Sequence, residues 1–133
     1  MKKINVLIID HDEDVRIIVG KWLSDLGYNV FKASNGKDSE EFLNKKLSII
    51  FLDVMLQDVP TVFMLEKIKK KAPKAIIIYL TSIEPFNLKP IQEEKGWNIV
   101  FEPPVMGYLK KPVNKDELMS EIKDALKMLK LVS

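Results

Sequence analysis

The residues best equipped for chemistry in this chain are acids, an imidazole and an amine, each placed at the end of an apolar run. Asp10, His11 and Asp12 follow the run from Ile4, Asp53 closes the run from Ser48, Thr81 and Ser82 close the run from Ala75, and Lys111 follows Met106 to Lys110. Carboxylates brought into one crevice repel each other and need a cation, and a hard oxygen-donor set suits Mg²⁺, which keeps several waters and accepts a phosphoryl oxygen. Asp53 beside such an ion is then a nucleophile toward a phosphoryl donor. Lys111 and the Thr81 hydroxyl would hold the remaining phosphoryl oxygens. Singly, each residue also has an ordinary reading: an Asp that caps a helix, a surface lysine, a turn threonine. Their joint placement at separate strand ends carries the argument.

The elements that must position these groups alternate along the chain. Ile4 to Asp10 reads as a strand buried on both faces. Val15, Ile18, Val19, Trp22, Leu23 and Leu26 then recur at helical spacing, and Gly27 supplies the stop. Tyr28 to Ala33 reads as a strand, and Asn35-Gly36 opens a helix carrying Phe42 and Leu43 to about Lys46. Ser48 to Asp53 is a third strand, and Val62, Leu65 and Ile68 mark a helix ending before Pro73. Ala75 to Leu80 is a fourth strand. Pro85 and Pro90 break the next stretch, so a helix there is expected to start at about Pro90. Trp97 to Phe101 reads as extended, Pro103-Pro104 as a turn and Met106 to Lys110 as a further strand. Asn114 with Glu117 resembles a capping box for a last helix carrying Leu118, Ile122, Ala125, Leu126 and Leu129. Such alternation predicts a doubly wound α/β fold, a parallel sheet with helices on both faces. Ligands of these sheets bind beyond the carboxyl ends of the strands, where the chemical residues fall.

Bulk properties narrow the function classes. The 133 residues, 47% apolar and 30% charged, are expected to form a single domain over 1–133. The apolar runs are far shorter than the roughly 20 residues of a membrane span, and no secretion signal is evident, so a cytoplasmic protein is expected. The absence of cysteine removes disulfide and thiol chemistry. A net charge of +2 gives no strong field for nucleic acid. The cluster Lys67, Lys69, Lys70, Lys71 and Lys74 reads as a solvated helix end rather than a nucleic-acid contact.

The segments VLIIDHDEDVR (Val6 to Arg16), IIFLDVML (Ile49 to Leu56), IIIYLTS (Ile76 to Ser82) and GYLKKPV (Gly107 to Val113) together resemble the receiver domain of bacterial response regulators, in the family's order and near its spacing. The resemblance spans essentially the whole chain. It implies a flavodoxin-like (CheY-like) three-layer sandwich with a five-stranded parallel sheet in the order 2-1-3-4-5. It also implies phosphorylation of Asp53, and Mg²⁺ held by Asp10, the residue at position 11, Asp53 and the Met55 backbone carbonyl. Thr81 and Tyr108 would form a switch pair, Lys111 would be the phosphate partner, and the bond before Pro112 would be cis. A sensor histidine kinase or phosphotransfer protein would supply the phosphoryl group. A downstream protein would read the segment 84–131, and the domain would work alone, without enzymatic activity, as a monomer or weak dimer.

Departures from the family pattern are visible. The second acid after the first strand, normally a metal ligand, is His11, which is expected to weaken Mg²⁺ binding because an imidazole suits Mn²⁺ or Zn²⁺ better. As the sole histidine it also admits a pH-dependent site, or it is a tolerated substitution in a site no longer used. The loop Gln57-Asp58-Val59-Pro60-Thr61 lacks the family's glycine, so its backbone is expected to differ. The span from Thr81 to Lys111 is longer than usual and adds Phe86, Trp97 and Phe101 on the expected output face, as a partner surface or as local core.

The principal alternative is a pseudo-receiver, an interaction module working without phosphorylation. A minor alternative is a haloacid-dehalogenase-like phosphatase with Asp10 as nucleophile and Asp12 as general acid. Asp14 departs from that motif, and no late acidic pair follows Lys111. A flavin carrier of the same fold is disfavoured because its phosphate loop would here be acidic.

Overall fold

The computed structural model describes residues 3–83 and 102–132. Its sheet holds β1 (Asn5–Ile9), β2 (Asn29–Ala33), β3 (Ile49–Asp53), β4 (Ile76–Thr81) and β5 (Val105–Lys110), all parallel, in the order β2-β1-β3-β4-β5. The predicted doubly wound, CheY-like sandwich and its strand order are borne out. Every residue of β3 and β4 is buried, whereas the edge strands β2 and β5 are partly exposed. Central strands of a parallel sheet are covered on both faces, and this explains their unbroken apolar runs.

Alternate residues of the strands feed two cores. Leu7, Ile9, Ile50, Leu52, Ile77 and Tyr79 pack on one side with Met64, Leu65 and Ile68 of α3 (Thr61–Lys71). Val6, Ile8, Phe51 and Ile78 pack on the other with Val15, Val19 and Leu23 of α1 (Glu13–Asp25). Leu118, Ile122 and Ala125 of the last helix complete that side. This helix, Lys115–Val132, is the fourth among the described residues and is called α4. Asn114 Oδ1 accepts the Glu117 N–H at 3.1 Å, so the capping residue read from the sequence caps it. Among the described residues no helix is long and apolar enough to cross a membrane.

Some expectations need correction. The helix expected from Gly36 to about Lys46 is only α2 (Gly36–Ser39), followed by a 3-10 turn at Glu40–Phe42. The Ser39 hydroxyl donates back to the Gly36 carbonyl at 2.6 Å, a local bond that competes with helix continuation. Lys46 then takes a positive φ of 56°. Ile18 and Leu26, which share the helical spacing, are each 44% exposed; the buried apolar stripe of α1 is Val15, Val19 and Leu23. At the end of α1, Gly27 has φ of 87° and its N–H reaches the Ser24 carbonyl at 2.9 Å, the left-handed stop that glycine permits. The helix expected from Pro90 and the extended reading of Trp97 to Phe101 lie outside the described residues, as do the added aromatics.

Candidate functional site

The parallel sheet brings β1, β3, β4 and β5 out on one edge, and the sequence-predicted residues stand there together. Asp10 is anchored by its backbone N–H on the Ala33 carbonyl at 3.1 Å, and the Arg16 guanidinium holds the Asp10 carbonyl at 2.7 Å. Arg16 was not singled out by sequence reasoning. Its sole signal was that no other arginine occurs in the chain. Asp53 ends β3 and is 1% exposed; Asp10 is fully buried. Lys111 is tied to β4 by its N–H on the Thr81 carbonyl at 2.8 Å, and the Lys111-Pro112 bond is cis, as the resemblance implied.

The side chains form one charged cluster. Lys111 Nζ lies 2.7 Å from Asp10 Oδ2 and 3.7 Å from Asp53 Oδ2. The Lys111 ammonium is the partner of this buried Asp10 oxygen. Asp10 Oδ1 accepts the Asp12 N–H at 2.8 Å, and Asp53 Oδ1 accepts the Met55 N–H at 2.8 Å. Burial pushes the Asp10 carboxyl above its ordinary range, the Asp53 charge adds to the rise, and Lys111 and the Asp12 N–H oppose it.

His11 adopts a position that spacing did not reveal. Its backbone N–H donates to Asp53 Oδ2 at 3.3 Å, and its ring Nδ1 makes a short contact with the same oxygen. The imidazole thus sits on the carboxylate expected to be the nucleophile. The ring is 52% exposed and lines a cleft of about 480 Å³ with Asp14, Ile18, Met55, Lys111 and Pro112. Asp12 is exposed, and its carboxylate accepts the Asp14 N–H at 2.9 Å, capping α1.

The expected switch residues are more loosely associated. Thr81 is buried, and its hydroxyl donates to the Ile83 carbonyl at 2.8 Å while accepting the Ile83 N–H at 3.1 Å. Tyr108 pairs in register with Tyr79 and is 39% exposed. The loop after β3 is held by Asp58, which accepts the N–H groups of Gly36 at 3.0 Å and Lys37 at 2.9 Å. Its partners lie more than twenty residues away, so no local pattern marked it.

Asp10, His11 and Asp53 each offer a ligand atom, all within 4.8 Å of one another. Two buried carboxylates that share one ammonium fit a divalent cation. The imidazole nitrogen departs from the all-oxygen set that Mg²⁺ prefers.

The description "Response regulator receiver domain" matches residues 6–123. A cyclic di-GMP phosphodiesterase from Thermotoga maritima is 30% identical over 92% of this chain and 31% of its own length. A putative NtrX-like response regulator from Rickettsia bellii is 31% identical over 98% of this chain and 26% of its own length. The chain therefore spans about a third or less of these relatives. The structure of a CheY-like receiver domain protein from Methanospirillum hungatei superimposes with a TM-score of 0.79 at 22% identity, covering 99% of this chain and 100% of that one. That of a two-component response regulator from Clostridium difficile gives 0.75 at 25% identity, covering 94% and 97%. Motifs, strand order and family match agree, and the chain belongs to the response regulator receiver domain family of two-component signalling.

Proposed function

We propose that residues 1–133 work as a phosphoacceptor receiver in which Asp53 takes a phosphoryl group from a sensor histidine kinase or phosphotransfer protein. The observation that carries this reading is the Asp53 carboxylate, 1% exposed, in contact with His11 and 3.7 Å from the Lys111 ammonium, two residues that line an open cleft. A carboxylate oxygen of Asp53 forms the new bond to phosphorus as the donor's bond to phosphorus breaks, and the leaving group departs with a proton. The Lys111 ammonium stabilises the phosphoryl charge. Asp10, Asp53 and the Met55 backbone carbonyl are the groups that would hold Mg²⁺, with His11 weakening it, and a bound ion would neutralise phosphoryl charge.

The Thr81 hydroxyl, now spent on the Ile83 backbone, would turn to the phosphoryl group, and Tyr108 would follow it. The change would be read by a downstream protein across the 84–131 segment. The phosphodiesterase name belongs to a relative of which this chain matches 31%, and we assign the chain a signalling role rather than a catalytic one. Incubation with acetyl phosphate and Mg²⁺, followed by intact mass, tests the reading. The expected product carries one phosphoryl group, absent in Asp53→Asn; an unmodified wild-type chain at every Mg²⁺ concentration favours the pseudo-receiver instead.

A further inference from the structure

We propose that His11 turns this pocket into a mixed nitrogen and oxygen site that takes a first-row transition ion of the Zn²⁺ and Co²⁺ class in preference to Mg²⁺. The inference rests on the receiver reading of the same pocket and concerns which ion it selects.

The donor set is the first argument. His11 Nδ1 touches Asp53 Oδ2 and lies 3.9 Å from Asp10 Oδ1, so an imidazole nitrogen stands between the two buried carboxylates. Imidazole suits Zn²⁺ and its neighbours in the first row, whereas Mg²⁺ demands oxygen and gives up its waters reluctantly. The oxygen missing at position 11 is not restored by the next acid, because the Asp12 carboxylate faces its own helix and caps Asp14 N–H at 2.9 Å.

Charge and access point the same way. Asp10 and Asp53 with the Lys111 ammonium leave the pocket negative before an ion enters, and the imidazole ligates without adding charge. Asp10 and Asp53 are both buried in the cluster, with ligand atoms of Asp10, His11 and Asp53 all within 4.8 Å of one another. The carboxylates are closed off from solvent while the imidazole is 52% exposed on the cleft side, which leaves an entry route and room for water on the remaining coordination positions. The chain has one histidine and no cysteine, so no thiol competes and any imidazole signal belongs to His11.

The test is a pair of calorimetric titrations, Zn²⁺ and Mg²⁺, on the wild-type chain, His11→Ala and His11→Asp, with the imidazole resonances followed by NMR. His11→Asp should tighten Mg²⁺ and lower the Zn²⁺ over Mg²⁺ affinity ratio by about tenfold or more. His11→Ala should lower the ratio without tightening Mg²⁺, and one equivalent of Zn²⁺ should shift the wild-type imidazole signals. A ratio unchanged in both variants, or imidazole signals indifferent to Zn²⁺, overturns the proposal. Acetyl phosphate labelling of Asp53 run in parallel reports on the receiver reading separately, since a chain can select Zn²⁺ without accepting a phosphoryl group, or accept one while preferring Mg²⁺.

Discussion

Asp58, in the loop after β3, and Asp10, after β1, are acids of the same edge of the sheet held in opposite ways. Burial pushes the Asp58 carboxyl up, but the N–H groups of Gly36, Lys37, Asp58 and Val59 outweigh it, and the group ends below its ordinary range. Burial also pushes Asp10 up, the Asp53 charge adds to it, and Lys111 does not cancel the rise. Asp58 is a satisfied clamp that ties the β3 loop to α2. Asp10 is held in a pocket where two carboxylates share the Lys111 ammonium, an excess of negative charge that a cation would match. Groups of the second kind mark sites of function, and groups of the first kind mark sites of stability.

The largest expected effect is all or none: Asp53→Asn abolishes phosphoryl uptake, read by intact mass, while circular dichroism stays that of the wild type. Next is Gly36, where an added Cβ would stand 2.7 Å from Val59 Cγ2 and 2.9 Å from Met64 Sδ. Gly36→Ala should destabilise the fold by about 2 kcal/mol in urea denaturation, the usual scale of overpacking. Asp58→Ala removes a largely exposed clamp, so its expected loss at neutral pH is smaller, about 0.5–1 kcal/mol. Because the folded Asp58 binds its proton less readily than the unfolded chain, this stabilisation is present above the ordinary carboxylate value near 3.8 and disappears as pH falls through the lower folded value.

Asp10 should show the reverse slope. Its folded form binds a proton more readily than the unfolded chain, so its contribution to stability falls as pH rises from about 3.8 through the raised folded value. Asp10→Asn, which keeps an oxygen for the Asp12 N–H, should remove that fall when denaturation is followed against pH in the presence of a chelator. An Asp10→Asn chain with the wild-type slope would break the contrast between the two acids.

Much of this was readable in the residues. Unbroken apolar runs such as Ile76 to Leu80 mark strands covered on both faces, and polar residues at their ends mark the edge where the site forms. Gly27 and Asn114 announce their helix ends through local backbone chemistry, and local rules found both. What was not legible depends on contacts between distant segments. Ile18 recurs at the helical spacing yet is exposed, because only Val15, Val19, Gly20 and Leu23 of α1 are buried once the helix packs on the sheet. The Asp58 clamp joins residues more than twenty apart. His11 was legible as a departure from the family's acid at that position, but its contact with Asp53 Oδ2 required the β1 and β3 ends to be seen side by side.

The central claim is that Asp53 accepts a phosphoryl group, and beryllofluoride, which mimics a phosphoryl group on a carboxylate, tests it most directly. Fluorine NMR of the wild-type chain with beryllofluoride and a divalent cation should show bound fluoride resonances that vanish in Asp53→Asn. Absence of bound resonances in the wild type with Mg²⁺ and with Zn²⁺, and in His11→Asp with Mg²⁺, would contradict it.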